Sequence, residues 1–385
     1  MEYKKYLLSE ICDYKTGRLN SNAAVDNGKY KFFTCAPNPL TIDSYSYDDN
    51  VILLAGNNAN GIFHINRFNG KFDAYQRTYI IKPKADVIDI DYLYYYLKFK
   101  LNFLQSQSIG SATKYLTKPI LDKLEVYCPE KKMKQKAISS ILKFLDKKLE
   151  LNKKIIANLE KLSQTLFKRW FVDFEFPDEN GNPYKSSGGE MIDSELGEIP
   201  SGWKVDELGN YIKIKSGKRP KNKVDKKDIE NVVPIIGASK IMGYTNDYLY
   251  NEKIIIIGRV GTHGVIQRFS TRTWPSDNTF VIISDFESII YQVLKSIDYI
   301  SLNRGSTQPL LSQKDIKNTK VAMPTNETLL STYQKENNHI LKMMDQKNIE
   351  NQKLTQLRDT LLPKLMSGEI EIPDDIEVNN DELSI

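Results

Sequence analysis

The sequence predicts an α+β chain. Two similar mixed domains, related by pseudo-two-fold symmetry, are separated by a long antiparallel helical pair, a coiled coil. Three observations predict this: an order of motifs that occurs twice, apolar strand runs that end in glycine loops, and two helical segments of unusual length.

The repeat is legible in pairs. Leu8-Ser-Glu-Ile-Cys-Asp-Tyr-Lys-Thr-Gly17-Arg18 resembles Val205-Asp-Glu-Leu-Gly-Asn-Tyr-Ile-Lys-Ile-Lys-Ser-Gly217-Lys-Arg219. Val51-Ile-Leu-Leu-Ala-Gly56 matches Lys253-Ile-Ile-Ile-Ile-Gly258, each a buried-strand run closed by a glycine-rich loop. Ile109-Gly-Ser-Ala-Thr113 matches Arg304-Gly-Ser-Thr-Gln308, and Tyr115-Leu-Thr117 then matches Leu310-Leu-Ser312. From Gly110 and Gly305 to Pro129 and Pro324 the offset is constant at 195 residues. A period this long is no solenoid unit; it is a duplicated domain, each copy able to bury its own core.

Each copy ends in a long helix, the first over about Met133–Phe171 and the second over about Thr328–Leu362. Ile138, Ile141, Leu142, Leu145, Leu149, Ile156, Leu159, Leu162 and Leu166 recur at spacings of three and four, as do Ile340, Met344, Leu354, Leu357 and Leu361. Pro363 and Gly368 are expected to close the second helix. At ~1.5 Å per residue such segments reach about 50 Å. Asn152 and Asn351 fall near the two midpoints, on the apolar seam. They are either solvated asparagines on a loosely amphipathic face or a buried pair that fixes register; antiparallel packing, which brings midpoints together, favours the second. The resulting division is a first domain over 1–131, a central helix over 132–173, a Gly/Pro/Ser/Asn-rich linker over 174–200, a second domain over 201–326, a C-terminal helix over 327–372 and an acidic, fraying tail over 373–385. Tyr92, Tyr94, Tyr95 and Tyr96 read mostly as core.

Composition narrows the function. With 40% hydrophobic and 27% charged residues, the 385-residue chain can fill cores in two or three domains. No apolar run approaches the ~18 residues of a membrane span, and no apolar stretch of signal-peptide type follows Met1–Lys5. Cys12, Cys35 and Cys128 are few and far apart, which fits a reducing cytoplasm and excludes a disulfide scaffold or a cysteine zinc site. The Gly-Lys pairs at Gly28, Gly70 and Gly217 lack the upstream glycine of a P-loop. An Asn-Pro-Pro-aromatic segment for methyl transfer is absent, and three scattered histidines make a poor metal set. The net charge of +5 allows a nucleic-acid partner without arguing for one.

The candidate binding residues lie in the loops. Lys215, Lys218, Arg219 and Lys221 belong to a basic run at the start of the second copy, where Lys15 and Arg18 stand in the first. Such a run is a solvated face or a phosphate-contacting loop, and its recurrence favours the loop. The glycine loops carry Asn57, Asn58, Asn60 and His64 in the first copy and Arg259, Thr262 and His263 in the second. These are polar turn residues or readers of base edges, since Asn pairs with adenine and Arg with guanine in the major groove. The Gly-Ser loops add Ser111, Thr113 and Lys114, then Arg304, Ser306, Thr307 and Gln308, where small residues let backbone N–H groups approach a phosphate.

Three segments extend the reading. They are Leu361-Leu-Pro-Lys-Leu-Met-Ser-Gly-Glu369, Ala74-Tyr-Gln-Arg-Thr-Tyr79 and Leu196-Gly-Glu-Ile-Pro-Ser-Gly-Trp203. Through them the chain resembles, over essentially its whole length, the specificity subunit of type I restriction-modification systems. The resemblance implies that each domain is a target-recognition domain reading one half of a split site in double-stranded DNA. It implies that the helices set the spacing and dock two modification subunits, which methylate adenine with S-adenosylmethionine. A motor-nuclease restriction subunit would add ATP- and Mg-dependent translocation and cleavage. This chain would be non-catalytic, cytoplasmic and without a cofactor of its own. Two other readings stay open: an enzyme with a cryptic motif, which binding of S-adenosylmethionine by the isolated chain would favour, and a coiled-coil scaffold whose globular domains bind protein, which salt-dependent binding to duplex DNA would oppose.

Overall fold

The computed structural model describes residues 2–59, 61–84, 86–260, 264–302 and 310–373. The chain divides into two compact units: one runs to Leu151 and resumes at Glu350, the other is Asn152–Ile349. Both long helices pass from one unit into the other, so each unit holds one part of each helix.

In the first unit a six-stranded sheet has the order Cys12–Thr16, Thr78–Pro83, Tyr47–Ala55, Ile65–Ala74, Tyr30–Phe33, Leu40–Ile42. All pairs are antiparallel except Tyr30–Phe33 with Ile65–Ala74. Residues Val51 to Ala55 are apolar without alternation because this strand is buried on both faces. Ile52 and Leu54 pack with the Ile90–Gln107 helix, while Val51 and Leu53 join Phe33, Tyr47, Phe72 and Ile80 on the opposite face. Asp89 caps that helix by accepting from Tyr92 N at 2.9 Å. Tyr92, Tyr95 and Tyr96 are buried and Tyr94 half-buried, as the core reading of this cluster expected. The buried hydroxyls keep partners: Tyr92 donates to Tyr127 O at 2.9 Å and Tyr96 to Glu125 O at 3.1 Å. Those acceptors lie on Glu125–Pro129, which pairs antiparallel with Tyr3–Leu7.

The second unit repeats this order. Trp203–Glu207 pairs with Lys320–Pro324. Lys213–Ser216, Thr279–Ile283, Ile254–Gly258 and Ile266–Phe269 form one sheet; Ile241–Thr245, Val233–Ile236 and Trp274–Pro275 form another. Where the first unit has one strand, Ile65–Ala74, the second has two, Ile266–Phe269 and Trp274–Pro275, so its sheet opens between them. The domain helix is Glu287–Ser296.

An arginine is repeated with the strands. Arg67 pairs in register with Ile52, and Arg268 with Ile255. Each reaches the first turn of its domain helix, Arg67 to Asp91 at 2.9 Å and Arg268 to Glu287 at 3.0 Å. Arg268, 7% exposed, also holds Asp345 at 2.6 Å and Leu341 O at 3.0 Å on the C-terminal helix. Burial works to lower its pKa, but Glu287 and Asp345 outweigh that and hold it above the ordinary arginine value.

The central helix is Lys132–Phe167, and its expected last turn, Lys168–Val172, is wound as a π-turn that buries Trp170 and Phe171. Phe174 follows at φ 57°, the left-handed stop usually given to glycine. The C-terminal helix is Glu327–Ser367, so it continues through Pro363 rather than closing there. Proline removes one N–H and crowds the carbonyl four residues back, yet the helix runs on to Ser367; the stop is Gly368 at φ 77°, after which Ile370 N donates to Lys364 O at 3.2 Å. Within each unit the helices run antiparallel. In the first, Asp146 meets Arg358 at 2.9 Å and Lys148 meets Glu350 at 3.6 Å. In the second, Ser163 donates to Asn337 at 2.7 Å and the Trp170 ring lies 5.5 Å from Tyr333. Asn152 is buried and Asn351 half-buried, and the two belong to different units.

The expected linker is a loop pinned by aromatics that ends in a short antiparallel strand pair, Met191–Ile192 with Ile199–Pro200. Phe174 and Phe176 are buried, and Phe176 stacks on Tyr184 at 4.6 Å and on Trp203 at 5.5 Å. The tail beyond Pro373 lies outside the described residues.

Candidate nucleic-acid interface

Four backbone bonds gather the loops at one end of the first unit's sheet. Gly17 N donates to Thr78 O at 3.1 Å, Arg18 N to Ala74 O at 3.2 Å, Gly56 N to Arg77 O at 2.8 Å, and Leu116 N to Gly56 O at 2.8 Å. Asn57 and Asn58 then pair with Tyr115 and Lys114, which joins the glycine loop to the Gly-Ser loop. The second unit makes the same four bonds: Gly217 N to Thr279 O at 3.0 Å, Lys218 N to Pro275 O at 3.0 Å, Arg259 N to Asn278 O at 2.8 Å, and Leu311 N to Arg259 O at 3.1 Å. Gly17 and Gly217 are required by close approach: a Cβ would sit 2.1 Å from Ala74 O in one and 2.1 Å from Ser276 O in the other.

These bonds correct the repeat by one residue. The sequence aligns Gly56 with Gly258, but the position equivalent to Gly56 is Arg259, and Gly258 pairs with Thr279 as Ala55 pairs with Thr78. A strand alternates its faces residue by residue, so this shift decides which side chain points where.

Of the expected residues, Arg18, Ser111, Lys218, Arg219 and Lys221 are exposed in these loops, while Asn57, Asn58, Thr113, Lys114 and Arg259 are half-buried. The Arg219 side chain is 86% exposed, with Asp277 at 3.8 Å. Trp274 Nε1 donates to Lys218 O at 2.8 Å and so anchors the basic loop. Half-buried His64 contributes its carbonyl to Ala55 N at 2.8 Å. Lys15 and Lys215 sit on strands instead. They pair with Ile80 and Val281, so they share the sheet face away from the domain helix, where Lys15 Nζ lies 4.7 Å above the Tyr47 ring. Asn60, Thr262, His263, Arg304, Ser306, Thr307 and Gln308 lie outside the described residues.

The sequence reading singled out Ala74–Tyr79 for its family resemblance but gave no binding role to it or to its counterpart in the second unit, and these two stretches hold the turns at the centre of each cluster. Thr78 N donates to Tyr75 O at 2.8 Å and Thr279 N to Ser276 O at 3.1 Å, which makes Tyr75–Thr78 and Ser276–Thr279 equivalent turns. Their middle residues, Gln76 and Arg77 in one and Asp277 and Asn278 in the other, are exposed. The Arg77 guanidinium lies 5.2 Å from the Tyr115 ring centroid. The shared threonine after two polar residues was the available signal, but the two stretches have little else in common. Exposed cations set among amides and hydroxyls suit a polyanion whose base edges carry donors and acceptors. Among the described residues, no three His, Cys, Asp or Glu side chains are placed to hold a metal ion.

The family described as the type I restriction modification DNA specificity domain matches residues 1–161 and again 200–359. The chain belongs to this specificity family. It is 33% identical over 218 residues to the type I restriction enzyme EcoDI specificity subunit of Escherichia coli, a match covering 53% of this chain and 47%, about half, of that protein. It is 29% identical over 327 residues to the MjaIX specificity subunit of Methanocaldococcus jannaschii, covering 76% of this chain and 71% of the relative. The crystal structure of a type I restriction-modification S subunit from M. genitalium shares the fold, with a TM-score of 0.66 at 21% identity over 97% of each chain. Both stretches matched by the specificity family include a loop cluster with the four-bond frame.

Proposed function

We propose that this chain reads a bipartite sequence in duplex DNA on behalf of a type I restriction-modification complex, one half through each loop cluster. The observation that carries the reading is the repeated frame: the same four backbone bonds present exposed polar and basic side chains in each unit. Basic side chains in the loops neutralise phosphates, and amide and guanidinium groups address base edges. The helical pair sets the spacing between half-sites and docks two modification subunits. Adenine methylation with S-adenosylmethionine belongs to those subunits, and ATP- and Mg-dependent translocation and cleavage to restriction subunits. This chain contributes recognition and no catalytic residue, and it works in the cytoplasm where its DNA is.

The test is to co-produce the chain with the modification subunit encoded beside it and map modified adenines across the genome. A split motif is expected. Exchanging residues of about 1–130 for the equivalent domain of a relative should change one half of that motif and leave the other. A change in both halves, or methyl transfer by the purified chain alone, overturns the reading.

A further inference from the structure

We propose that Arg77 and Asn278 read the base edge at the same position of the two half-sites, Arg77 selecting guanine and Asn278 selecting adenine. The inference rests on the DNA reading above and assigns the chemistry within it.

The two residues are equivalent by hydrogen bonding, not by sequence similarity. Each carbonyl accepts the bond from the glycine-loop residue, Gly56 N to Arg77 O and Arg259 N to Asn278 O, both at 2.8 Å. Each precedes the threonine that closes the turn and accepts from Gly17 or Gly217. The first turn residues also agree, with Tyr75 N donating to Phe33 O and Ser276 N to Ile236 O, both at 2.9 Å. The backbone is thus held from several sides without help from either side chain, and both side chains are exposed.

A common frame with different side chains is informative. A phosphate presents the same acceptor in both half-sites, and only Arg77 would neutralise its charge, since the Asn278 carboxamide carries none. Base edges differ, and these two residue types match two of them. The guanidinium fork donates to guanine O6 and N7, whereas a carboxamide donates to adenine N7 and accepts from N6. The Tyr115 ring, 5.2 Å from the Arg77 guanidinium, restricts the fork and lowers the cost of presenting it. Arg18 and Lys218, which donate their own N–H groups into the frame beside the turns, stand as the phosphate-facing charges.

The experiment uses the full chain in complex with its modification subunit, with modified adenines mapped for the parent, Arg77→Asn, Arg77→Lys and Asn278→Arg, and competition binding measured on duplexes altered one base pair at a time. Arg77→Asn should move one base pair of one half-site from guanine towards adenine, and Asn278→Arg should make the reverse change in the other half. Discrimination at that base pair should shift by about 5- to 150-fold, with the remaining positions unaltered. Arg77→Lys keeps the charge and removes the fork, so it should weaken guanine selection while the salt slope stays within error. An unchanged motif with uniformly weaker binding and a salt slope reduced by about 0.9 makes Arg77 a phosphate-binding residue and overturns the proposal. An unchanged motif with unchanged affinity removes these turns from the DNA and overturns it equally. Absence of any split motif in the parent complex would instead sink the DNA reading itself.

Discussion

Arg358 of the C-terminal helix donates through Nη1 to Asp146 Oδ1 of the central helix at 2.9 Å, while Lys98 and Tyr95 of the domain helix reach the other carboxylate oxygen at 3.1 Å each. Burial works to raise the Asp146 carboxyl, but Lys98 and Arg358 outweigh it and hold its pKa below the ordinary aspartate value. One carboxylate therefore ties three helical segments together and sets the register of the pair in this unit. Asp146→Asn should lower stability at pH 7 by about 1.5–3 kcal/mol, the range for hydrogen bonds to charged groups. A depressed folded pKa contributes stability that is present above the unfolded value near ~3.9 and disappears as pH falls through the folded value. Urea titrations should accordingly show the gap between parent and variant closing below about pH 4. A gap of constant size from pH 7 to pH 3 would mean that the charge is not its source.

Tyr333 is buried between Trp170 and Phe171, and its hydroxyl has no hydrogen-bond partner among the described residues. A buried, unpaired hydroxyl costs about 1–3 kcal/mol. Tyr333→Phe keeps the ring packing and should raise the melting temperature by about 2–4 °C, given a gain near 1 kcal/mol. A lower melting temperature would show that the hydroxyl is satisfied in solution.

Burial pushes the Cys12 thiol up to about 12 and the Cys128 thiol up to about 11, so neither supplies much thiolate at neutral pH. Cys35 is half-buried, and its Sγ lies 3.6 Å from Arg77 O in the loop cluster. Brief alkylation of the native chain should label Cys35 alone, and cognate duplex DNA should slow that labelling. Mass spectrometry of the labelled peptides reads both effects, and labelling at Cys35 indifferent to DNA would count against this loop cluster as the DNA-binding surface.

Replacing Lys218, Arg219 and Lys221 with alanine removes exposed charge without touching the backbone bonds of the basic loop. Binding should weaken across all sequences, and the salt slope should flatten by about 0.9 for each phosphate that is no longer neutralised. Titrations at several salt concentrations give the slope directly. A changed motif with an unchanged slope would place these side chains on bases.

The sequence by itself determined the domain duplication, the long helices and the buried strands. It could do so because apolar periodicity and turn chemistry are local properties, and both copies carry them. The run from Val51 to Ala55 and the run from Ile254 to Ile257 are legible as central strands for that reason. Residues 361–369 carry the family resemblance yet misplace the helix end, since Pro363 is compatible with a helix whose last turn is closed by Gly368. What tertiary structure alone decided is pairing. Only the strand ladders and the bonds at Arg77 and Asn278 show that Arg259, not Gly258, stands where Gly56 does, because a one-residue shift leaves composition unchanged and reverses every face. The same holds for Asp146, Ser163 and Asn337. Each reads as an ordinary polar residue on a helix, and its role exists only because partners more than 170 residues away in sequence, Asn337 for Ser163 and Arg358 for Asp146, are folded against it.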